Sequence, residues 1–405
     1  MMKLKELKAR WLHLVKGVKE WALMRKKPLL ILLSVVLLLL FSYMLNNQTL
    51  LGGENKLIYT WVEYFKGLFR HDHSDEEDVV YINVGYDKQL VDLTDSFGFS
   101  IGNAPITDRS KLLRLLQMLN QQNTSRFIFL DLSFEKDFKT DVDSLLFREI
   151  RKSKRIVTAS HPDVELADSS LVPVAAWNNY STTIFAGGFD RYEYSYQGKP
   201  SMPLFAYHQL TGNTITRHWP FYLSNGRLCY NCLFIRFPVE KNDEYGEDNV
   251  KYYYNLGSDI LDHYSAEDLG VLCKDKYVVI GDMNSDLHST YSGIKSGPLV
   301  TYFAFRELME GKHFVSFNLV LLLFLLYLGI SWSQLYRWDL LDKLAWFKSP
   351  SKPRLFVKSL IGYGILFLIC SFLLALIFNV FISFMLPSLY FSIQKTVIEY
   401  KRMKI

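Results

Sequence analysis

Residues 127–160 read FIFLDLSFEKDFKTDVDSLLFREIRKSKRIVTAS, and the succession of patterns in them decides the fold. FIFLDLSF (127–134) is a short aliphatic and aromatic run, the mark of a strand buried on both faces. DSLLFREIRK (143–152) spaces its apolar residues for one face of a helix, and RIVTAS (155–160) returns to a strand. Strand, helix and strand at these lengths make a βαβ unit, whose strands run parallel.

The same alternation extends outward. VVYINV (79–84) reads as a strand, and RSKLLRLLQMLN (109–120) places its leucines and methionine at helical spacing. KYVVIGD (276–282) is a later strand, followed by a Gly/Ser/Asp-rich loop and the helical VTYFAFRELMEG (300–311). The expectation is an α/β domain with a largely parallel sheet. Residues 161–250 are rich in Tyr, Ser and Gly and carry no such pattern. Ahead of the domain lie a helix-like aromatic segment, 59–69, and an acidic run, 72–78.

The domain is flanked by apolar segments. A mean hydropathy of +0.05 is high for a chain with 21% charged residues, so the apolar residues must be concentrated. They gather at 28–45, 314–333 and 355–393, each at or above the about 18 residues that cross a bilayer core. The first run is longer than a signal-peptide core and no small-residue cleavage site follows it, so it reads as an uncleaved anchor. Residues 1–27 hold nine Lys/Arg against two Glu, which makes that end cytoplasmic by the positive-inside rule. The domain at 46–313 is then extracytoplasmic, in the periplasm or outside a bacterial inner membrane, and the net-basic linker 334–354 is cytoplasmic again.

The third apolar segment is either one long span or two short ones turning between Asn379 and Pro387. The basic tail 394–405 favours the returning pair, with a cytoplasmic end. The net charge of +5 gives no case for nucleic acid, because the basic residues sit beside the spans.

Four candidate ligand-binding residues stand near the ends of predicted strands: Asp87, Asp131, Asp286 and His288. Ligands of open α/β sheets collect outside the carboxyl ends of the strands, so these side chains could converge to hold a cation or orient a polar ligand. Structural roles in capping and loop ties are the competing reading. No phosphate loop, zinc-protease helix or nucleophile elbow occurs, so neither an enzyme nor a cofactor nor a metal site is expected. Cys229 and Cys232 have the spacing of a redox or metal pair, but nothing completes such a site. A local disulfide or inert thiols is the simpler reading.

Within residues 1–27, Leu4, Leu7, Trp11, Leu14, Val18 and Trp21 alternate at spacings of three and four, with lysines on the other faces. Leu7, Trp11 and Leu14 would dock a partner or pair two copies as a homo-oligomer. The alternative is an amphipathic helix lying on the lipid bilayer.

Taken together, the landmarks of 78–312 resemble the second type of CHASE domain, the cyclase/histidine-kinase-associated sensory extracellular family. The resemblance rests on the opening strand with Asp87-Lys88-Gln89-Leu90, the turn from Ala104 to Arg109, and FIFLDLSF, which is similar to the family's strand ending in an Asp. It rests further on Asp143 with Leu145 and Leu146, and on KYVVIGD followed by Asp286 to Thr290 and Ser296-Gly297-Pro298. Tyr86 stands where the family has an acid, Tyr291 where it has a proline, and the Pro-Gly order is reversed at Gly297-Pro298. Family members commonly continue into a cytosolic output domain. The resemblance therefore implies a sensory or ligand-binding module acting through a partner protein that supplies the output. A structural or assembly subunit of a cell-envelope complex is the alternative, and a membrane-tethered hydrolase using the Asp/His cluster the weakest reading.

Overall fold

A computed structural model of the protein describes residues 28–47, 53–67, 78–94, 97, 99–161, 164–178, 191–237, 253–336, 352–378 and 383–403. The Leu7, Trp11 and Leu14 stripe and most of the linker 334–354 lie outside these. The chain divides into two units, Met1–Leu45 with Ser316–Ile405, and Asn46–Val315.

The second unit is built on a six-stranded sheet in which every pairing is parallel. Its strands are β1 (Val79–Asn83), β2 (Phe127–Ser133), β3 (Ile156–Ser160), β4 (Ala175–Trp177), β5 (Tyr254–Asn255) and β6 (Tyr277–Gly281), in the spatial order β5-β1-β6-β2-β3-β4. The expected parallel sheet is therefore present, and wider than the sequence patterns indicate. β4 and β5 are only three and two residues long, too short to leave a periodic signature.

Side chains alternate across a pleated strand, and here the alternation gives the sheet two chemically different faces. Val80, Ile82, Ile128, Leu130, Val278 and Ile280 form an aliphatic face. Against it pack Leu112, Leu115, Leu116 and Leu119 of α3 (Arg109–Gln122), Leu146 and Ile150 of α4 (Asp143–Lys152), and Leu269 of α6 (Ala266–Leu272). The opposite face is aromatic. Phe129 and Tyr277 meet Phe305 of α7 (Gly297–Met309) at ring-centroid distances of 5.0 and 5.1 Å. Tyr81 meets Tyr302 of the same helix at 5.8 Å. A further helix, α5 (Met202–Thr211), packs beside α7.

Local chemistry sets the helix ends. Asp108 caps α3 by accepting from the Ser110 and Lys111 amides, and Asn123 closes it in the left-handed region at φ 47°. Ser265 and Asp268 form a reciprocal capping box at α6. Asp143 opens α4 with its carboxylate accepting from the Thr140 amide and hydroxyl. Ahead of the sheet, α2 (Gly53–Gly67) takes in residues 59–67 of the expected juxtamembrane helix, and 68–69 lie outside the described residues.

Among the described residues three helices are long and apolar enough to cross a membrane: α1 (Pro28–Asn46), α8 (Phe317–Leu335) and the stretch Pro353–Phe378 of α9 (Lys352–Phe378). Within the third apolar segment α9 ends at Phe378. Its continuation, α10 (Met385–Met403), is a separate helix that is not among the three, and it absorbs nearly all of the segment 394–405 expected as a tail. Pro387 stands in the first turn of α10, where a missing N–H costs little. Among these helices Gln334 donates to the Tyr363 hydroxyl at 2.6 Å and to the Phe391 carbonyl at 3.1 Å. That arrangement satisfies a buried amide donor from side chain and backbone together.

Candidate functional site

Because all six strands run parallel, their carboxyl ends share one edge of the sheet. The helical elements after β1, β2 and β5 return over the aliphatic face, whereas α7, after β6, covers the aromatic one. β6 thus marks the point where the winding changes face, which is where open α/β sheets form crevices.

Asp131 lies on the aromatic side of β2 by the same parity as Phe127 and Phe129, and is buried. Asn178, just past β4, donates its amide to one Asp131 oxygen at 2.5 Å, and the Thr301 hydroxyl of α7 donates to the other at 3.0 Å. The Tyr192 hydroxyl in turn donates to the Asn178 amide oxygen at 3.2 Å. Burial pushes the Asp131 carboxyl up to about 7, and the Asp286 carboxylate adds to the rise. The Thr301 and Asn178 hydrogen bonds and His288 pull the other way.

Asp286 and His288 stand together, imidazole Nε2 to carboxylate 2.9 Å. They open the hairpin of Leu287–Thr290 with Gly293–Ser296, which feeds α7. The Gly297 amide donates to the Asp286 carbonyl at 2.8 Å. A Cβ on Gly297 would overlap the Asp286 carboxylate, and one on Gly281 would overlap the Pro298 ring. Two glycines thus let the start of α7 lie against both the hairpin and the end of β6.

Asp87 is engaged elsewhere. Its carboxylate accepts from Lys111 Nζ at 2.6 Å and from the Gly257 amide at 3.0 Å, partners that neither Asp131 nor Asp286 shares. Of the four residues read from the sequence, the structure couples Asp131, Asp286 and His288 electrostatically and ties Asp87 to α3 and the turn after β5. Among the described residues no group of three or more His, Cys, Asp or Glu is arranged to hold a metal.

Asn83 escaped the sequence reading. It is fully buried at the end of β1, donates to Asn255 at 3.0 Å and Asn284 at 3.2 Å, and accepts from the Gly85 and Met283 amides at 2.9 and 3.0 Å. One side chain so ties the ends of β1, β5 and β6. Its one available signal was an amide inside the apolar run VVYINV. Thr301 and Asn178 gave no signal, because nothing in their sequence neighbourhoods points to Asp131.

All four cysteines are free thiols. Burial pushes Cys229 and Cys273 up to about 12, which keeps them protonated and unreactive. This favours inert thiols over a disulfide or a redox pair.

No protein-family model matches the chain, and comparison with curated proteins and with solved structures returns no match.

Proposed function

We propose that the chain is a membrane-anchored sensory or ligand-binding module of the bacterial inner membrane, with its α/β domain outside the cytoplasm, working through partner proteins. The observation that carries this reading is the position of one hairpin. The Leu287–Ser296 hairpin starts beside the Asp286–His288 pair and ends at α7, whose Thr301 grips Asp131. α7 precedes the candidate span α8 by residues 310–316 alone.

The same hairpin bears Tyr291 at its turn. Tyr291 meets Tyr59 of α2 with ring centroids 4.2 Å apart, and the two hydroxyls donate to the carbonyls of Ile235 and Phe237. α2 follows the candidate span α1 in the chain. A change at the Asp286–His288 pair therefore has a packed route toward both chain segments that lead to the membrane, and coupling between sites needs such contiguous elements. The charge asymmetry around the spans supports the orientation, and the resemblance to the CHASE family is in keeping with a sensory input.

A second reading, a structural or assembly subunit of an envelope complex, draws on the hairpin Lys88–Thr94 with Ser100–Thr107. Leu90, Phe97, Phe99 and Ile101 on and beside it are 66–85% exposed, more apolar surface than a small hairpin ordinarily leaves uncovered.

Crosslinking and recovery of partners from native membranes tests the two readings, comparing the wild type with His288→Ala and Asp286→Ala. Sensing predicts a recovered partner whose yield changes in the variants. A stoichiometric partner recovered equally from all three supports the assembly role, and recovery of no partner defeats both.

A further inference from the structure

A cleft of about 500 Å³ opens at the carboxyl ends of β1 and β5, within the size range of small-molecule sites. Tyr86 and Asp87 from the β1 end, Lys111 and Arg114 from α3, and Asn255 and Asp262 around the turn after β5 line it. Lys111 and Arg114 are three apart and so share one face of the helix. Asp87 closes on Lys111 at 2.6 Å, which leaves that pair neutral.

Among the described residues, the side chains of Arg114 and Asp262 make no hydrogen bond or ion pair. Asn255 borders the same cleft and is 8% exposed as a residue. Its amide oxygen accepts from Asn83 and its backbone N–H donates to Asp259, yet its side-chain N–H₂ has no partner among the described residues. Gly257 keeps the floor clear, since a Cβ there would stand 2.5 Å from an Asp87 oxygen and 3.1 Å from Lys111 Nζ.

The Arg114 guanidinium and the Asn255 amide at this cleft suit a carboxylate, and the Asp262 carboxylate suits an ammonium group. Two cations and two acids together suit a ligand of no net charge. We propose that this cleft binds a small zwitterion, a free α-amino acid or a molecule with the same ammonium and carboxylate groups. The proposal rests on the ligand-binding reading above and gives it a ligand class at a place distinct from Asp131 and His288.

The test uses the full chain in detergent, with thermal unfolding and titration calorimetry against a mixture of L-α-amino acids. The mixture should raise the melting temperature, and its N-acetylated counterpart, which lacks the ammonium, should not. Calorimetry with the best single amino acid should show binding weakened by about tenfold or more in Arg114→Ala and in Asp262→Ala. Both side chains are exposed, so both variants should fold like the wild type. An equal shift from inorganic phosphate or from the N-acetylated mixture overturns the zwitterion, as does no shift from the amino acids. Either result leaves the sensory reading to its own test, because partner recovery and its dependence on His288 do not pass through this cleft.

Discussion

The Thr301 hydroxyl donates to the buried Asp131 carboxylate at 3.0 Å, so a single hydrogen bond joins the central strand β2 to the helix that precedes the candidate span α8. Thr301 is itself fully buried. Thr301→Val keeps the shape and removes the donor, leaving Asp131 with Asn178 alone. The expected loss is roughly 1–3 kcal/mol, the cost of an unsatisfied buried group, measured by chemical denaturation at neutral pH. Unchanged stability would show that the contact does not hold α7.

Two buried groups should give the domain opposing pH dependences. Burial pushes Asp131 up to about 7 in the folded protein from its ordinary 3.8. Between those values the folded state keeps a proton that the unfolded chain has lost, so stability falls as pH rises. His313 is lowered from 6.5 to about 4 by burial, with the Arg227 guanidinium adding to the effect. Between those values the unfolded chain gains a proton that the folded state refuses, so stability falls as pH falls. From about pH 4 to 6.5 the two slopes oppose each other. Asp131→Asn should therefore leave a curve that climbs with pH over this window, and His313→Phe one that descends. Melting temperatures of both variants at half-unit pH steps decide it, and parallel curves would show that these groups do not govern the acid limb.

The close approach of α7 to β6 is open to a single-atom test. A Cβ at position 281 would overlap the ring of Pro298, and a proline ring in the first helical turn has little freedom to move aside. Gly281→Ala should destabilise the domain by about 1–3 kcal/mol through overpacking. It should also broaden the resonances or raise the amide exchange of 297–301, which a remote effect on the sheet would not do. A fully stable alanine variant would mean that α7 shifts freely.

How far the sequence carried depended on what each feature requires. β1, β2, β3, β6, α3 and α4 were legible because burial on both faces writes a continuous apolar run and burial on one face writes a period of 3.6. α7 was read from residue 300, three residues late, because Gly297 and Pro298 look like loop until the Cβ-free approach to β6 is visible. The Asp131 carboxylate was legible as a charge ending an apolar strand. Its partners were not, since Asn178 and Thr301 lie 47 and 170 residues away in the chain. Asp87 was expected to join the same cluster on the strength of strand ends alone. Lys111, arriving from α3, draws it toward the Gly257 amide instead.

The last prediction concerns orientation, which rests on the charges flanking the spans. Lys199 lies exposed in a two-stranded turn, Ser195–Tyr196 with Lys199–Pro200. Cys229, Cys232 and Cys273 are buried, so a Lys199→Cys thiol would be the accessible one in this domain. In cells whose inner membrane is intact and whose periplasm is open, a membrane-impermeant maleimide should label that position at once. Glu20→Cys, in the basic segment 1–27, should react only after lysis. The nine Lys/Arg of that segment make the opposite insertion unfavourable, because each would have to cross the bilayer core. Labelling of Glu20→Cys in intact cells, with Lys199→Cys protected until lysis, would invert the topology and remove the extracytoplasmic sensory reading with it.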